Sequence, residues 1–345
     1  MNDKYTNVNV STLTILKVLV VCLSLWFLFA IRDIILLFLI SIIISSAIDP
    51  LADYLHKKKI PRGLSVLFVY ILFLGIVALV VSLLIPPMID QFQSLTQNNF
   101  YDNFMLRVGG FRDTLQKLGI NETVTQNIKQ FANTFSQGLV NAGKGVVSGF
   151  ISVITVLVVS FYLTAEENGT KNFIKHLIPF KNQAYVSKLV TKIQRKMGNW
   201  VVGQFLLSLA VFVLTYIGLL ILHVDYALVL ALIAGLLEIV PIIGPIISVI
   251  PAAFFGFIQN PPLALAVIIL YLIVQQLENH LLVPMIMSKS TGLNPVLVIL
   301  GVLVGGSLGG FVGAIIAIPL ISGIQVFIYD VMDKESMTSL EEKLD

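Results

Sequence analysis

Charge is what this sequence has least of: Asp, Glu, Lys and Arg together make up 12% of its 345 residues, about half the share of a soluble domain. A chain so poor in charge cannot clothe a water-facing surface, which excludes an ordinary soluble globular fold. Cysteine occurs once, at Cys22, so an intrachain disulfide is excluded. There is no H-E-x-x-H, no G-x-x-x-x-G-K-[ST], and the sequons at 121–123 and 168–170 are common chance matches. No metal, cofactor or bound nucleotide is therefore implied, and no enzyme is expected. The net charge of +3 is small, and the basic residues cluster beside apolar segments, not along a groove-sized patch, which argues against nucleic acid as a partner.

What is abundant is hydrocarbon. Hydrophobic residues reach 57% and the mean hydropathy is +0.93, the composition of an integral membrane protein whose partner is the lipid bilayer. A spanning helix needs about 20 mostly apolar residues. That length predicts full spans at 12–31, 33–51, 64–86, 145–164, 200–222 and 262–284, with Arg32 and Asp33 marking a tight turn that pairs the first two as a hairpin. The N-terminal run is of span length and is expected to remain as a first helix, not a cleaved signal. The fold class expected is all-α and polytopic, one membrane domain over 1–345.

Positive charge sets orientation, because short loops rich in Lys and Arg stay in the cytoplasm. Lys57, Lys58, Lys59 and Arg62 mark one such loop. Seven basic residues between 165 and 199 mark another. The polar interval 88–142 then lies outside, and both termini are predicted cytoplasmic. Within 88–142, Phe111, Leu115 and Leu118, then Ile128, Phe131, Phe135 and Leu139, recur at helical spacing and predict amphipathic helices. In 165–199, Tyr185, Leu189, Ile193 and Met197 form an i, i+4 stripe flanked by basic residues. That pattern suits a helix lying in the interface or a solvated connector equally well.

Two apolar stretches resist reading as simple spans. Residues 226–258 are split at "PIIGP", and 295–329 at "GGSLGG". Each half of the first stretch holds about 15 residues, or 22 Å of helix, short of a crossing. Neither break carries a charge inside its tip, as a loop emerging into water normally does. Both are expected to be re-entrant hairpins, one from each side, forming a transport core at 226–329. Full crossings would give the same parity.

Pro241 and Pro245 stop a helix, and Gly244 permits backbone conformations that other residues resist. Non-helical backbone inside hydrocarbon is tolerated only where protein or a water-filled cavity satisfies it. Helix ends at such breaks hold ions and solutes in many secondary transporters. A plain kink uses the same residues. Glu238 beside the break sharpens the reading, because a carboxylate near the bilayer centre costs about 2.5–3.5 kcal/mol on insertion scales and usually serves a cavity, proton path or ion; a protonated Glu bonded to a neighbouring helix is the alternative. In "QQLENH", Gln275, Glu278 and Asn279 share a helical face with Gln276 at its margin. They form a candidate polar wall for a solute or cation, or else simply meet headgroup water. His280 reads as interfacial. In the second break, Gly305, Gly306, Ser307, Gly309 and Gly310 form a candidate mobile tip whose G-x-x-x-G spacings favour close helix approach. G-x-S-x-G also occurs there, but no strand precedes it as a hydrolase elbow requires.

The blocks "EIVPIIGPIISVIP", "QQLENHLLVPMIMSKSTGLNPVLVILGVLVGG" and "GAIIAIPL" closely resemble those of the AI-2 exporter family of bacterial and archaeal permeases. The distinctive motifs cover 226–322 and the hydropathy layout nearly the whole chain. The resemblance implies a prokaryotic plasma-membrane permease that assembles as a homo-oligomer, such as a pentamer. Its relatives are linked to export of the quorum signal autoinducer-2 or to Na⁺(Li⁺)/H⁺ antiport. It carries Glu238, Pro241, Gly244, Pro245, Gln276, Glu278 and Pro284 onto this chain. The first expectation is thus a secondary transporter exporting a small polar solute such as autoinducer-2, with cation/proton antiport as the alternative. A non-transporting scaffold is a third reading that leaves the buried carboxylate unexplained.

Overall fold

The computed structural model describes residues 12–96, 130, 134, 138, 149–166, 169–176, 178–287 and 293–341. Among them every regular element is helical: α1 (Thr12–Ala30), α2 (Arg32–Lys57), α3 (Arg62–Thr96), α4 (Phe150–Ala165), α5 (Gly169–His176), α6 (Gln183–Ile221), α7 (Ala227–Leu237), α8 (Ile243–Gln259), α9 (Pro261–Leu277), α10 (Val283–Met287) and α11 (Pro295–Glu341). Among the described residues, five stretches are long and apolar enough to cross a membrane: Thr12–Ala30, Arg32–Lys57, Phe180–Ile221, Pro261–Met287 and Val296–Met332. The amphipathic helices expected within 88–142 lie outside the described residues, except that α3 runs on to Thr96.

The expected pairing of the first two helices is not found. The hydrogen-bond ladder continues through the junction, from Ile31 N–H to Phe27 C=O and from Ile35 N–H to Ile31 C=O. The two helices run on through this junction with a local distortion at Ile31 (φ −97°, ψ 10°) instead of reversing. None of the residues of α1 is buried.

Small hydroxyl residues bring α2 against α4. Thr164 Oγ1 donates to Ser45 Oγ at 2.9 Å and Ser41 Oγ donates to the Val156 carbonyl at 3.3 Å, while Ile48, Ala52, Val66, Val69 and Tyr70 form the apolar core between α2 and α3. The long helix α6 joins this bundle to the rest. Its Gly198 lies directly on the Ser46 carbonyl of α2, an approach that a Cβ would prevent. The stripe that suited an interfacial helix or a solvated connector is instead a packing face within α6: Leu189 and Met197 are buried, Ile193 and Met197 touch Gly323 of α11, and Lys192 pairs with Asp330 at 2.6 Å. An i, i+4 apolar row needs a partner surface, and here α11 supplies it.

Both interrupted stretches fold as helical hairpins. In the first, α7 and α8 return to one place, where the Gln259 side chain accepts from Asp225 N–H at 3.0 Å and donates to the His223 carbonyl at 2.7 Å. In the second, α11 breaks at Gly309 (φ −131°, ψ 17°) and Gly310 (φ 60°, ψ −146°). Its limbs then cross where the backbones of Gly305 and Gly313 touch.

Candidate functional site

The first hairpin turns within five residues. Glu238 caps α7, and its N–H donates to the Ala234 carbonyl at 3.0 Å. Val240 N–H reaches the Leu237 carbonyl at 2.9 Å, and a three-residue turn follows in which Ile243 N–H donates to the Pro241 carbonyl at 2.8 Å. The left-handed backbone expected at Gly244 falls instead on Ile242, with φ 71° and ψ −54°, an outlying conformation for a β-branched residue. Gly244 is needed for another reason: its Cα packs onto the Leu237 carbonyl, so any side chain there would strike backbone. Pro245 sits in the first turn of α8, where a missing N–H costs no helix bond.

The turn delivers Glu238 to a protein-enclosed position with 0% exposure, and Glu278 beside it is 5% exposed. The two carboxyl groups are in direct electrostatic contact. Gln275 Nε2 donates to Glu278 Oε2 at 3.1 Å, and Gln204 Nε2 of α6 donates to the Glu238 main-chain carbonyl at 2.5 Å. Neither carboxyl oxygen of Glu238 meets a hydrogen-bond partner at bonding geometry among the described residues. Protein encloses both oxygens of Glu238. Two enclosed carboxyl groups side by side cannot both carry uncompensated charge. A shared proton or a small cation between them resolves the conflict.

Only part of the expected polar wall points here. Helix α9 ends in one π-turn over Glu278–Leu282, which turns Glu278 inward. Gln276 and Asn279 face outward and are exposed, so the regular-helix face grouping Asn279 with Glu278 does not hold. Gln276 instead joins Ile269, Leu272, Ile273 and His280 around an outer apolar groove. Such π-turns are frequent at functional sites. The second hairpin approaches through apolar contacts: Val240 at the first tip shares a core with Val302, Ala314 and Ile318 of α11 and with Trp200 and Leu207 of α6. Gly305, Gly306, Ser307, Gly309 and Gly310 do not enter the carboxyl site. Gly305 serves the limb crossing, Gly309 meets Leu36 of α2, and Ser307 Oγ bonds its own helix at the Val304 carbonyl.

Sequence reasoning overlooked Gln204, Ser208 and Thr215. They lie on one face of α6, four and then seven residues apart, and the Ser208 and Thr215 hydroxyls are buried without hydrogen-bond partners among the described residues, as is Tyr271 OH of α9. The signal was present: a lone amide and two hydroxyls at helical spacing in an otherwise apolar span.

Long apolar helices, two hairpins converging on one core and a buried acidic pair define a multi-pass helical membrane protein of the transporter type. The family described as "AI-2E family transporter" matches residues 15–333, and the chain belongs to that family. It is 29% identical to YrrI of Bacillus subtilis over 305 residues, 86% of either chain. It is 28% identical to YueF of the same organism over 293 residues, 81% of this chain and 79% of that one. PerM of Escherichia coli K12 is 24% identical over 273 residues, 76% of this chain and 77% of its own. The names of these relatives assign them transport or permease roles provisionally.

Proposed function

We propose that this protein is a secondary transporter that exchanges protons for a monovalent cation, Na⁺ or Li⁺, at the Glu238–Glu278 pair. The observation that carries the reading is the meeting of two enclosed carboxyl groups, Glu238 and Glu278, in one protein-lined site. Replacing one acidic proton by Na⁺ leaves the buried charge unchanged, so the swap is feasible where water does not solvate the site. Gln275 and Gln204 hold the two acids in place, and the hydroxyls of Ser208, Thr215 and Tyr271 provide polar stations along α6 and α9. Pro241, Gly244 and Pro245 shape the turn that presents Glu238. Both hairpins are re-entrant in this reading, and rearrangement where their apolar tips meet alternates access. The α11 tip at 305–310 acts as the moving end.

A second reading, export of a small polar solute such as autoinducer-2, is favoured by the description of the family; the same pair then supplies proton coupling. The protein resides in the prokaryotic plasma membrane with both termini cytoplasmic. A homo-oligomer, such as a pentamer, gives α1, which buries nothing within its own chain, a surface to cover.

Proteoliposomes holding a preset ΔpH test the main reading. Addition of Na⁺ or Li⁺ dissipates the gradient with the wild type and fails to do so with Glu238→Gln, which keeps the shape of the side chain and folds. No response of the wild type at any pH would reject antiport. Gradient-driven uptake of labelled autoinducer-2 by everted vesicles would then support the second reading.

A further inference from the structure

A cavity of about 510 Å³ lies on the basic side of the molecule, remote in sequence from the carboxyl pair, between the end of α2, the start of α3, the start of α5 and the first turns of α6. Its volume is that of a small-ligand site. Lys57, Arg62, Lys171 and Arg195 line it against two acids, Asp49 and Asp53. Arg62 already engages both acids, at 3.2 Å and 2.8 Å, and its Nε donates to the Thr164 carbonyl at 3.0 Å. The lining therefore holds four cations against two acids, a surplus of two positive charges.

Thr170, the second residue of α5, also lines this cavity. It is 3% exposed, and its hydroxyl is buried with no hydrogen-bond partner among the described residues. A buried orphan hydroxyl is costly. Beside the start of a helix, where free N–H groups and the helix dipole favour anions, and under several cations, it is the donor that an anion's oxygen requires.

We propose that this cavity binds a phosphate-bearing ligand, its phosphate group held by Thr170 and the α5 N-terminus and its charge met by Lys57, Lys171 and Arg195. The walls belong to α2, α3, α5 and α6, so an occupied site clamps the N-terminal bundle to the helix that also carries Gln204. The phosphate comes either from an anionic lipid headgroup at the membrane surface or from a soluble phosphomonoester. The carboxyl pair plays no part, and the proposal stands or falls independently of transport.

The test uses the purified full-length protein in nanodiscs, with thermal unfolding and native mass spectrometry as readouts. Nanodiscs of phosphatidylcholine alone are titrated with glycerol 3-phosphate, and a second set contains equimolar phosphatidylglycerol. A ligand that binds only the folded state raises the unfolding temperature. Stabilisation in the second set alone assigns a lipid headgroup; stabilisation by glycerol 3-phosphate assigns the soluble source. Thr170→Val removes the orphan hydroxyl at constant shape, so it leaves the ligand-free protein at least as stable, and it weakens binding about tenfold. Arg195→Gln and Lys57→Gln, both at exposed positions, weaken binding further and flatten its salt dependence. Absence of stabilisation in both sets, or equal binding by all three variants and the wild type, overturns the proposal.

Discussion

Gly310 and Gly306 lie four residues apart in one glycine-rich run, yet only one of them is constrained by its backbone. Gly310 holds φ 60° and ψ −146°, a region almost closed to side chains, with open space around its Cα. Gly306 is helical, and its nearest neighbour to a hypothetical Cβ is 3.9 Å away. Gly310→Ala is therefore expected to destabilise the protein by about 1–3 kcal/mol. Gly306→Ala is expected to be neutral or slightly stabilising, because alanine lowers the cost of ordering a helix. Reversible unfolding in mixed detergent micelles, compared between the two variants, checks both signs; equal effects would show that the turn is not fixed at Gly310. Gly313→Ala belongs with the damaging class for a steric reason, since its Cβ would strike the Gly305 backbone.

At the scale of elements, the α7–α8 hairpin depends on its base as much as on its tip. Gln259 hydrogen-bonds across the two outer ends, accepting from Asp225 N–H and donating to the His223 carbonyl. Gln259→Ala removes both bonds, a loss of about 1–3 kcal/mol. Amide exchange in α7 and α8 should accelerate while that of α2 and α4 stays unchanged. The contrast follows from packing: α2 and α4 are held by their own hydroxyl contacts through Ser41, Ser45 and Thr164, which share no residue with the hairpin. Uniform acceleration throughout the protein would mean that the hairpin does not open as a separate unit. The turn of this element also explains why an acid sits there. Local bonds from the N–H groups of Val240, Ile243 and Gly244, with Gln204 on the Glu238 carbonyl, satisfy much of the backbone of the break and leave the carboxyl group of Glu238 as the reactive feature of the tip.

The whole molecule makes a claim about sides. If α7 and α8 form a re-entrant unit, Asp225 and Asn260 lie on the same side of the membrane, as their closeness through Gln259 suggests. The native thiol Cys22 is exposed and is first replaced by serine. Single cysteines at Asp225 and Asn260 are then expected to react with an impermeant maleimide from the same side of sealed vesicles, and a cysteine at Lys58 from the other. Labelling of Asp225 and Asn260 from opposite sides would make the pair full crossings and remove the enclosed-tip argument on which Glu238 depends.

Hydropathy, charge clusters and helix-stopping residues were sufficient to read the all-α membrane class, the location of the spans, the two interruptions and the isolated acid at 238, because those features follow from the cost of exposing polar backbone and charge to hydrocarbon. Partnership between residues far apart in sequence was not legible. That Glu278 turns inward while Asn279 and Gln276 turn out depends on a π-turn set by packing of the end of α9. That Gln204 meets the Glu238 carbonyl depends on how α6 crosses α7, and the failure of α1 to pair with α2 depends on a junction which no residue type announces. Local chemistry decides where a helix must stop; only the assembled bundle decides which side chains the interruption brings face to face.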